Sequence, residues 1–269
     1  MEAYAHRTKK RFGQHFLHDR GVISRMLATL ALQKTDRVVE IGPGAGALTL
    51  PLLQLLPELH VVEIDRDVIA WWRSQHELAE RLHIHATDAL KLDLTSLQDA
   101  TQQPLRIIGN LPYNISTPIL FHLLDQAQSV RDMLFMLQKE VVDRMIAAPD
   151  SADYGRLSVM IQYYCDTSHV MDVGPGAFNP PPKVDSAVVY LRPWHELPYP
   201  ANNTAQFSAL VAKAFSQRRK TLRNTLKGVV NDVQFEQATI DPSRRAETLN
   251  VADFVKLANL VTPSPIIAT

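Results

Sequence analysis

Short apolar runs alternate with segments of helical periodicity along the first 190 residues. Apolar positions at helical spacing predict a first helix over residues 22–30, and further helices over residues 47–56, 66–79 and 117–124. Compact apolar runs predict six strands, at residues 37–41, 60–64, 83–86, 105–109, 133–137 and 184–191. Strands separated by helices indicate βαβ crossovers, so the predicted fold class is α/β, Rossmann-like, with a mostly parallel sheet.

The pattern changes after the last predicted strand. Residues 192–203 contain three prolines, as is typical of a linker. Beyond it, apolar residues from Phe207 to Leu226 fall on one helical face, and the chain is predicted to be helical to about Leu260. We therefore predict an α/β domain over residues 1–195, with a basic arm at 1–18, and a small all-helical domain over 196–269.

The composition is that of an ordinary globular chain. Of the 269 residues, 46% are hydrophobic and 21% are charged. The single cysteine, Cys165, indicates a reducing, cytoplasmic setting and excludes a zinc ribbon. The most apolar stretch, residues 48–64, is interrupted by prolines and charges, so we expect no membrane span and no membrane partner.

The formal net charge of zero conceals an uneven distribution. Residues 3–18 carry four basic side chains and residues 197–231 carry six, with no acidic residue in either segment, so the other residues carry a net charge of −10. Lys213, Lys220, Arg223 and Lys227 are predicted to form a stripe on one helix, with Arg218 on its apolar, partly buried flank. A solvated basic face is the alternative, but the absence of acids favours phosphate binding. The candidate RNA-binding residues are Arg7, Lys9, Lys10, Arg11, Lys213, Arg219, Lys220, Arg223 and Lys227.

A glycine-rich loop follows the first predicted strand. Gly42, Gly44 and Ala47 satisfy the spacing of a dinucleotide fingerprint, and a strand-to-helix turn without a ligand is the weaker alternative. Glu63 ends the next strand, where an acid can accept hydrogen bonds from both hydroxyls of a ribose. Asp88 ends the third strand, where it can accept from an adenine amine or cap a turn.

The end of the fourth predicted strand carries the sequence Asn110-Leu111-Pro112-Tyr113. It resembles the [Asp/Asn]-Pro-Pro-[Tyr/Phe] motif of adenine-N6 methyltransferases, and the glycine loop resembles their motif for S-adenosyl-L-methionine (AdoMet). Together with residues 11–17, 178–186 and 217–224, these motifs resemble the KsgA family of small-subunit (16S) ribosomal RNA adenine-N6,N6-dimethyltransferases. The resemblance extends from about Arg7 to the C-terminal helices.

The chemistry of such a site explains its residue types. The lone pair of an adenine amine is conjugated into the ring, and two acceptors aimed at the amine hydrogens can draw it out of the ring plane. The Asn110 side-chain oxygen and the Leu111 carbonyl are the candidates, and Tyr113 and Phe178 could stack on the two faces of a flipped base. Taken singly, Asn110 is better explained as a turn cap and the two aromatic residues as core. The family motifs that match at all these positions favour the functional interpretation instead.

The resemblance implies further assignments. It implies AdoMet as methyl donor, without a metal, bound by His15, Leu17, Gly42, Glu63, Asp88 and Asn110. The family usually has Asn where this chain has His15. The implied substrate is a pair of adjacent adenosines near the 3′ end of 16S rRNA in a partly assembled small subunit, and we expect a monomeric enzyme.

Three alternatives stay open on the sequence. A related large-subunit dimethyltransferase would share the first three motifs, although segments 178–186 and 217–224 favour the small-subunit enzyme. A non-catalytic RNA-binding factor could keep the fold, but its Asn-Leu-Pro-Tyr motif need not be intact. A nicotinamide dehydrogenase would explain the glycine loop and neither Asn110 nor the basic segments.

Overall fold

The structure, a computed structural model, describes residues 15–98 and 101–261. Its strands are β1 Phe16–Leu17, β2 Val38–Ile41, β3 Leu59–Glu63, β4 Leu82–Ala86, β5 Leu105–Asn110, β6 Val130–Gln138, β7 Cys165–Val173, β8 Phe178–Asn179 and β9 Ser186–Pro193. Its α-helices are α1 Arg20–Leu30, α2 Thr49–Leu55, α3 Arg66–Ser74, α4 Ser116–Leu124, α5 Lys139–Ile146, α6 Arg156–Tyr164, α7 Thr204–Ala214, α8 Leu222–Thr225, α9 Asp232–Ala238 and α10 Val251–Leu260. Short 3₁₀ helices join several of them.

Seven strands form one sheet in the order β4-β3-β2-β5-β6-β9-β7. The pairs from β4 to β6 are parallel, and β9 is antiparallel to β6. Every residue of β2 and β3 is buried, as expected for central strands that helices cover on both faces. The predicted α/β class with a mostly parallel sheet is confirmed.

The predicted strands all occur, with ends shifted by no more than three residues. The helix predicted over residues 66–79 is shorter: α3 ends at Ser74, and the Gln75 N–H closes it on the Trp72 carbonyl. The hydrophobic pattern predicts no elements between residues 138 and 183, where the structure has α5, α6, β7 and β8. No helix within residues 15–98 and 101–261 has the length and apolar character that crossing a membrane requires.

The continuous helical face predicted from Phe207 to Leu226 is wrong. Helix α7 ends at Ala214, where the Ser216 hydroxyl donates to the Lys213 carbonyl and competes for the next backbone bond. The backbone N–H groups of Leu222 and Arg223 then donate to the carbonyls of Arg244 and Pro242, and not to the preceding turn. The predicted basic stripe is therefore divided between α7, a connection and α8.

Contacts divide the described chain into two compact units. The first contains the described residues up to 142 together with 167–193, and the second contains 143–166 together with 194–261. The division at 193/194 lies beside the predicted boundary at 195, but residues 143–166 group with the second unit. The reason is packing, since α6 contacts α7 and α10, and the Tyr163 ring lies 4.4 Å from that of Phe207 between centroids.

Candidate active site at the carboxyl edge of the sheet

A cavity of about 340 Å³ opens at the carboxyl ends of the parallel strands. Its lining includes Gly42 after β2, Glu63 at the end of β3, Asp88 after β4 and Asn110 at the end of β5. The sheet order reverses between β2 and β5, because β3 and β4 follow on one side of β2 and β5 lies on the other. Ligands of open α/β sheets bind at such switch points.

The glycine loop leaves its backbone exposed to this cavity. Gly44 has a φ of +49°, and a Cβ placed there would lie 3.2 Å from the Phe16 ring. The indole Nε1 of Trp72 donates to the Gly44 carbonyl over 3.1 Å, and this hydrogen bond holds the loop in place. A side chain at position 44 would be strained by the positive φ and would press against the Phe16 ring. Glycine avoids both and lets a ligand approach the backbone closely.

Two acids at the carboxyl ends of the strands, Glu63 and Asp88, face the cavity. One oxygen of each carboxyl group already accepts hydrogen bonds from the backbone. The Glu63 Oε1 accepts from the backbone N–H groups of Ile64 and Asp65, each over 2.8 Å. Burial raises the pKa of Glu63, against the lowering effect of these bonds. The Asp88 Oδ1 accepts from the Leu90 N–H over 3.0 Å, so Asp88 is a turn cap as well as a lining residue. Their predicted contacts with a ribose and an adenine stay predictions.

A third acid, Glu40, was missed as a site residue in the sequence analysis. It lines the cavity, is 2% exposed and accepts a 2.7 Å hydrogen bond from the Thr49 hydroxyl. Burial raises its pKa to about 8, and the Glu63 charge adds to the shift. The available signal was an ionisable residue inside the otherwise apolar strand β2.

The Asn110 side chain is held in one orientation. Its Nδ2 donates to the His15 carbonyl over 3.1 Å, which makes Oδ1 the atom available to accept from a ligand. The neighbouring Leu111 N–H donates to the Met136 carbonyl over 3.1 Å, and the Leu111 side chain is 1% exposed. A Cβ at Gly109 would lie 2.7 Å from the Ile41 carbonyl oxygen, so glycine allows β5 to approach β2 just before this turn.

Tyr113 also lines the cavity, and both ends of its side chain are restrained. Its hydroxyl lies 2.6 Å from the Ser186 hydroxyl. Its ring stacks on the His15 ring with centroids 5.9 Å apart and planes at 28°. Pro112 lies between Tyr113 and Leu111 and lines the same cavity, where its ring restricts the turn.

A two-stranded pair of β1 and β8 connects two of the sequence motifs, those at residues 11–17 and 178–186. We call His15 together with β1 the N-terminal strap. Strand β1 pairs with β8, so that Phe16 lies opposite Asn179 and Leu17 opposite Phe178. Next to this pair, the His15 Nδ1 lies 2.8 Å from the Pro180 carbonyl and donates to it. The side chain of His15, which stands where the family usually has Asn, therefore contacts Pro180 in the motif at residues 178–186.

Phe178 does not line the cavity, where its predicted role of stacking on a flipped base would require it to lie. It is 3% exposed, packs in the hydrophobic core that also contains Leu17, and is not among the residues that line the cavity. Its position in β8 does not support stacking on a substrate base. The structure does bring the other candidates to one cavity: His15, Leu17, Gly42, Glu63, Asp88, Asn110, Leu111 and Tyr113.

The candidate RNA-binding residues lie partly outside the described chain. Arg7, Lys9, Lys10 and Arg11 fall in residues 1–14, which the structure does not describe.

In the second unit, Lys213, Arg223 and Lys227 line a cleft of about 1060 Å³. Arg223 pairs with Asp232 over 2.6 Å, while Arg219 and Lys220 are exposed in the connection after α7.

The expectation that Arg218 is partly buried is wrong. Its side chain is 62% exposed, because the break after α7 removes it from the helix face. Its guanidinium pairs with Glu247 over 3.1 Å and donates to the Ala152 carbonyl.

Comparisons with known proteins agree with this arrangement. A protein named ribosomal RNA small subunit methyltransferase A from Alcanivorax borkumensis is 57% identical over 258 residues, which cover 96% of this chain and 91% of that protein. A protein of the same name from Laribacter hongkongensis is 58% identical over 254 residues, 94% of this chain and 96% of that protein.

Solved structures show the same fold. A dimethyladenosine transferase from Plasmodium falciparum superposes with a TM-score of 0.76 at 27% identity, over 90% of this chain and 96% of that one. The 23S rRNA methyltransferase ErmE gives a TM-score of 0.67 at 23% identity, over 90% and 98%. The model of the family described as ribosomal RNA adenine dimethylase matches residues 5–262. The chain thus belongs to the ribosomal RNA adenine dimethylase family.

Proposed function

We propose that this protein transfers methyl groups from AdoMet to the N6 amines of two adjacent adenosines near the 3′ end of 16S rRNA, in the maturing small subunit. The observation that carries the proposal is the position of Asn110 and Leu111. Asn110 ends β5 and Leu111 follows it, and both line the cavity that the glycine loop and Glu63 also line. The high identity to relatives named for the small subunit favours this substrate over the large-subunit alternative.

The cavity fits the cofactor in size and in its polar groups. Its volume of about 340 Å³ falls in the range of small-molecule sites. The backbone of the glycine loop and the strap at His15 and Leu17 would hold the methionine end, Glu63 the ribose and Asp88 the adenine. AdoMet supplies a methyl group on a sulfonium, which is an already activated donor.

The residues at the end of β5 would prepare the acceptor amine. The Asn110 Oδ1 and the Leu111 carbonyl would each accept a hydrogen bond from one N–H of this amine, which draws the nitrogen lone pair out of conjugation. The target base must leave its stack to reach them, and the Tyr113 ring offers one stacking face. Alignment of this kind contributes about 7–11 kcal/mol in favourable intramolecular reactions. The amine proton leaves to water after transfer, so no general base is required beforehand.

Basic residues of the second unit supply contacts to the RNA backbone. Lys213 and Lys227 flank the cleft, and Arg219, Lys220 and Arg223 extend the positive surface. The arm residues Arg7, Lys9, Lys10 and Arg11 add four charges. Phosphate contacts give affinity and register, while base choice falls to the cavity. We infer a monomer that acts in the cytoplasm, where small subunits assemble.

The test is methyl transfer from labelled AdoMet to undermethylated small subunits, large subunits and free RNA, followed by mapping of the modified base. We expect two adjacent N6,N6-dimethyladenosines in the small-subunit RNA. Label in large subunits would favour the related large-subunit activity. Binding of subunits without label would indicate a non-catalytic factor, and nicotinamide binding without AdoMet binding would indicate a dehydrogenase.

A further inference from the structure

Three imidazoles and one carboxylate converge at the amino end of the β3–β4 pair, away from the cavity at the carboxyl ends. His60 on β3 lies opposite His83 on β4 in the sheet register, and His85 follows two residues later on the same face. Ring centroids are 4.8 Å apart for His60 and His83 and 5.2 Å apart for His60 and His85. Glu58 precedes β3, and its Oε2 lies 3.1 Å from the His83 Nε2. The proposed methyl transfer uses none of these residues.

The separations suit a metal ion. One ligand atom from each of Glu58, His60 and His83 lies within 4.8 Å of the other two. Zinc–nitrogen bonds of about 2.0–2.1 Å in a tetrahedral site place neighbouring ligand atoms about 3.3 Å apart. The side chains of His83 and Glu58 are 41% and 48% exposed, so they can rotate over this small difference without a change in the backbone.

A second imidazole holds the His60 ring in place. The His60 Nδ1 and the His85 Nε2 are 2.9 Å apart, a hydrogen bond of the kind that fixes the tautomer and ring orientation of a ligating histidine.

We propose that Glu58, His60 and His83 form a binding site for one divalent transition-metal ion of the zinc type, with His85 as the positioning residue for His60. Mixed imidazole and carboxylate ligands select this class over magnesium or calcium. The bound ion would link β4, at the edge of the sheet, to β3 and so stabilise the fold without entering the methyl-transfer site.

Arg37 offers a second test, because its replacement should change metal affinity in the opposite direction to the loss of a ligand. Its Nη2 lies 3.4 Å from the His60 Nε2. A cation beside this guanidinium is repelled, and the arginine must turn away for His60 to bind through Nε2. Replacing Arg37 by glutamine should therefore strengthen metal binding, whereas replacing a ligand should weaken it.

The experiment is calorimetric titration of the untagged full chain with Zn²⁺, with Co²⁺ absorption as a report on coordination. We expect one ion per chain and a rise in the thermal unfolding temperature. His83→Ala and Glu58→Gln should each weaken Zn²⁺ binding by about tenfold or more, and His85→Ala by about 10–100-fold as a loss of ligand orientation. The control His76→Ala removes an exposed histidine outside the cluster and should change nothing.

The two ligand variants alter half-exposed side chains, and unchanged AdoMet affinity will show that each still folds. Absence of stoichiometric Zn²⁺ uptake by the wild type would overturn the proposal. Equal uptake by His83→Ala and Glu58→Gln would do the same, because the ion would then lie elsewhere. Since AdoMet binding and methyl transfer are measured separately, failure of this site leaves the proposed function intact.

Discussion

The side-chain amide of Asn110 donates to the backbone carbonyl of His15 across 3.1 Å, although the two residues are 95 positions apart in the chain. The bond joins the end of β5 to the residue before β1, and it engages the Asn110 side-chain nitrogen in a contact within the protein. The side-chain oxygen is consequently the group that can meet a substrate amine. The orientation of the Asn110 amide thus depends on the backbone before β1.

The first prediction follows from this orientation. Asn110→Ala removes the acceptor and should lower kcat for methyl transfer by about a hundredfold or more, by analogy with the loss of a positioned hydrogen-bonding group in other active sites. RNA affinity should change little, because the proposed phosphate contacts lie in other parts of the chain. Single-turnover transfer to small subunits and filter binding measure the two effects.

Asn110→Asp serves as the matched control. It keeps an acceptor oxygen but cannot donate to the His15 carbonyl, so it should retain more activity than the alanine variant. Near-normal turnover in Asn110→Ala would remove this residue from the mechanism.

The second prediction concerns the strap. His15→Ala deletes the hydrogen bond to the Pro180 carbonyl and the ring that stacks on Tyr113. Loss of about 1 kcal/mol from one hydrogen bond corresponds to about fivefold weaker AdoMet binding. Equilibrium titration with AdoMet measures it. His18→Ala, an exposed neighbour, should bind normally. If both variants bind equally well, the side chain at position 15 has no part in the cofactor site.

The third prediction concerns pH and Glu40. Its pKa is raised from an ordinary 4.5 to about 8 in the folded protein, because the carboxyl is buried. Between these values the folded state holds a proton that the unfolded state releases, so stability should fall as the pH rises through this interval. Urea unfolding midpoints from pH 5 to 8 measure the slope. Glu40→Gln is neutral throughout and should flatten it, and an unchanged slope would assign the dependence to another group.

The fourth prediction concerns a buried ion network in the first unit. The Arg106 guanidinium lies 2.7 Å from both Asp36 and Asp132, and all three side chains are no more than 4% exposed. Arg106→Met leaves two buried carboxylates without this partner and should reduce the free energy of unfolding by about 3–5 kcal/mol. Arg131 also pairs with Asp36 but is 55% exposed, so Arg131→Met should change it by no more than about 1 kcal/mol. Similar losses in the two variants would contradict the importance of burial.

The fifth prediction locates the RNA contacts. Charge reversal at Lys213 or Lys227, which flank the cleft of the second unit, should weaken RNA binding and reduce the salt slope by about 1 for each lost phosphate contact. Arg223 is a poorer probe because its pair with Asp232 would break as well. Lys256→Glu makes the same charge change at an exposed position on α10 and is the control. An equal slope in all variants would put the RNA elsewhere.

The sequence determined the local elements and the identity of most site residues. Hydrophobic periodicity is a property of neighbouring residues, so it located strands β2 to β6 and β9 and helices α1 to α4. The carboxyl ends of parallel strands meet at one edge. The order of Gly42, Glu63, Asp88 and Asn110 along the chain was therefore enough to anticipate that they share a cavity.

Tertiary structure decided the features that depend on distant partners. The N–H groups of Leu222 and Arg223 donate to the distant carbonyls of Arg244 and Pro242, which interrupts the helix predicted through Leu226. Core packing removed Phe178 from the cavity. Burial, which spacing does not report, raised the pKa of Glu40. The register of β3 against β4 brought His60 to His83, 23 residues away. Sequence patterns record which side of an element is apolar, whereas only the folded chain fixes which surface that side meets.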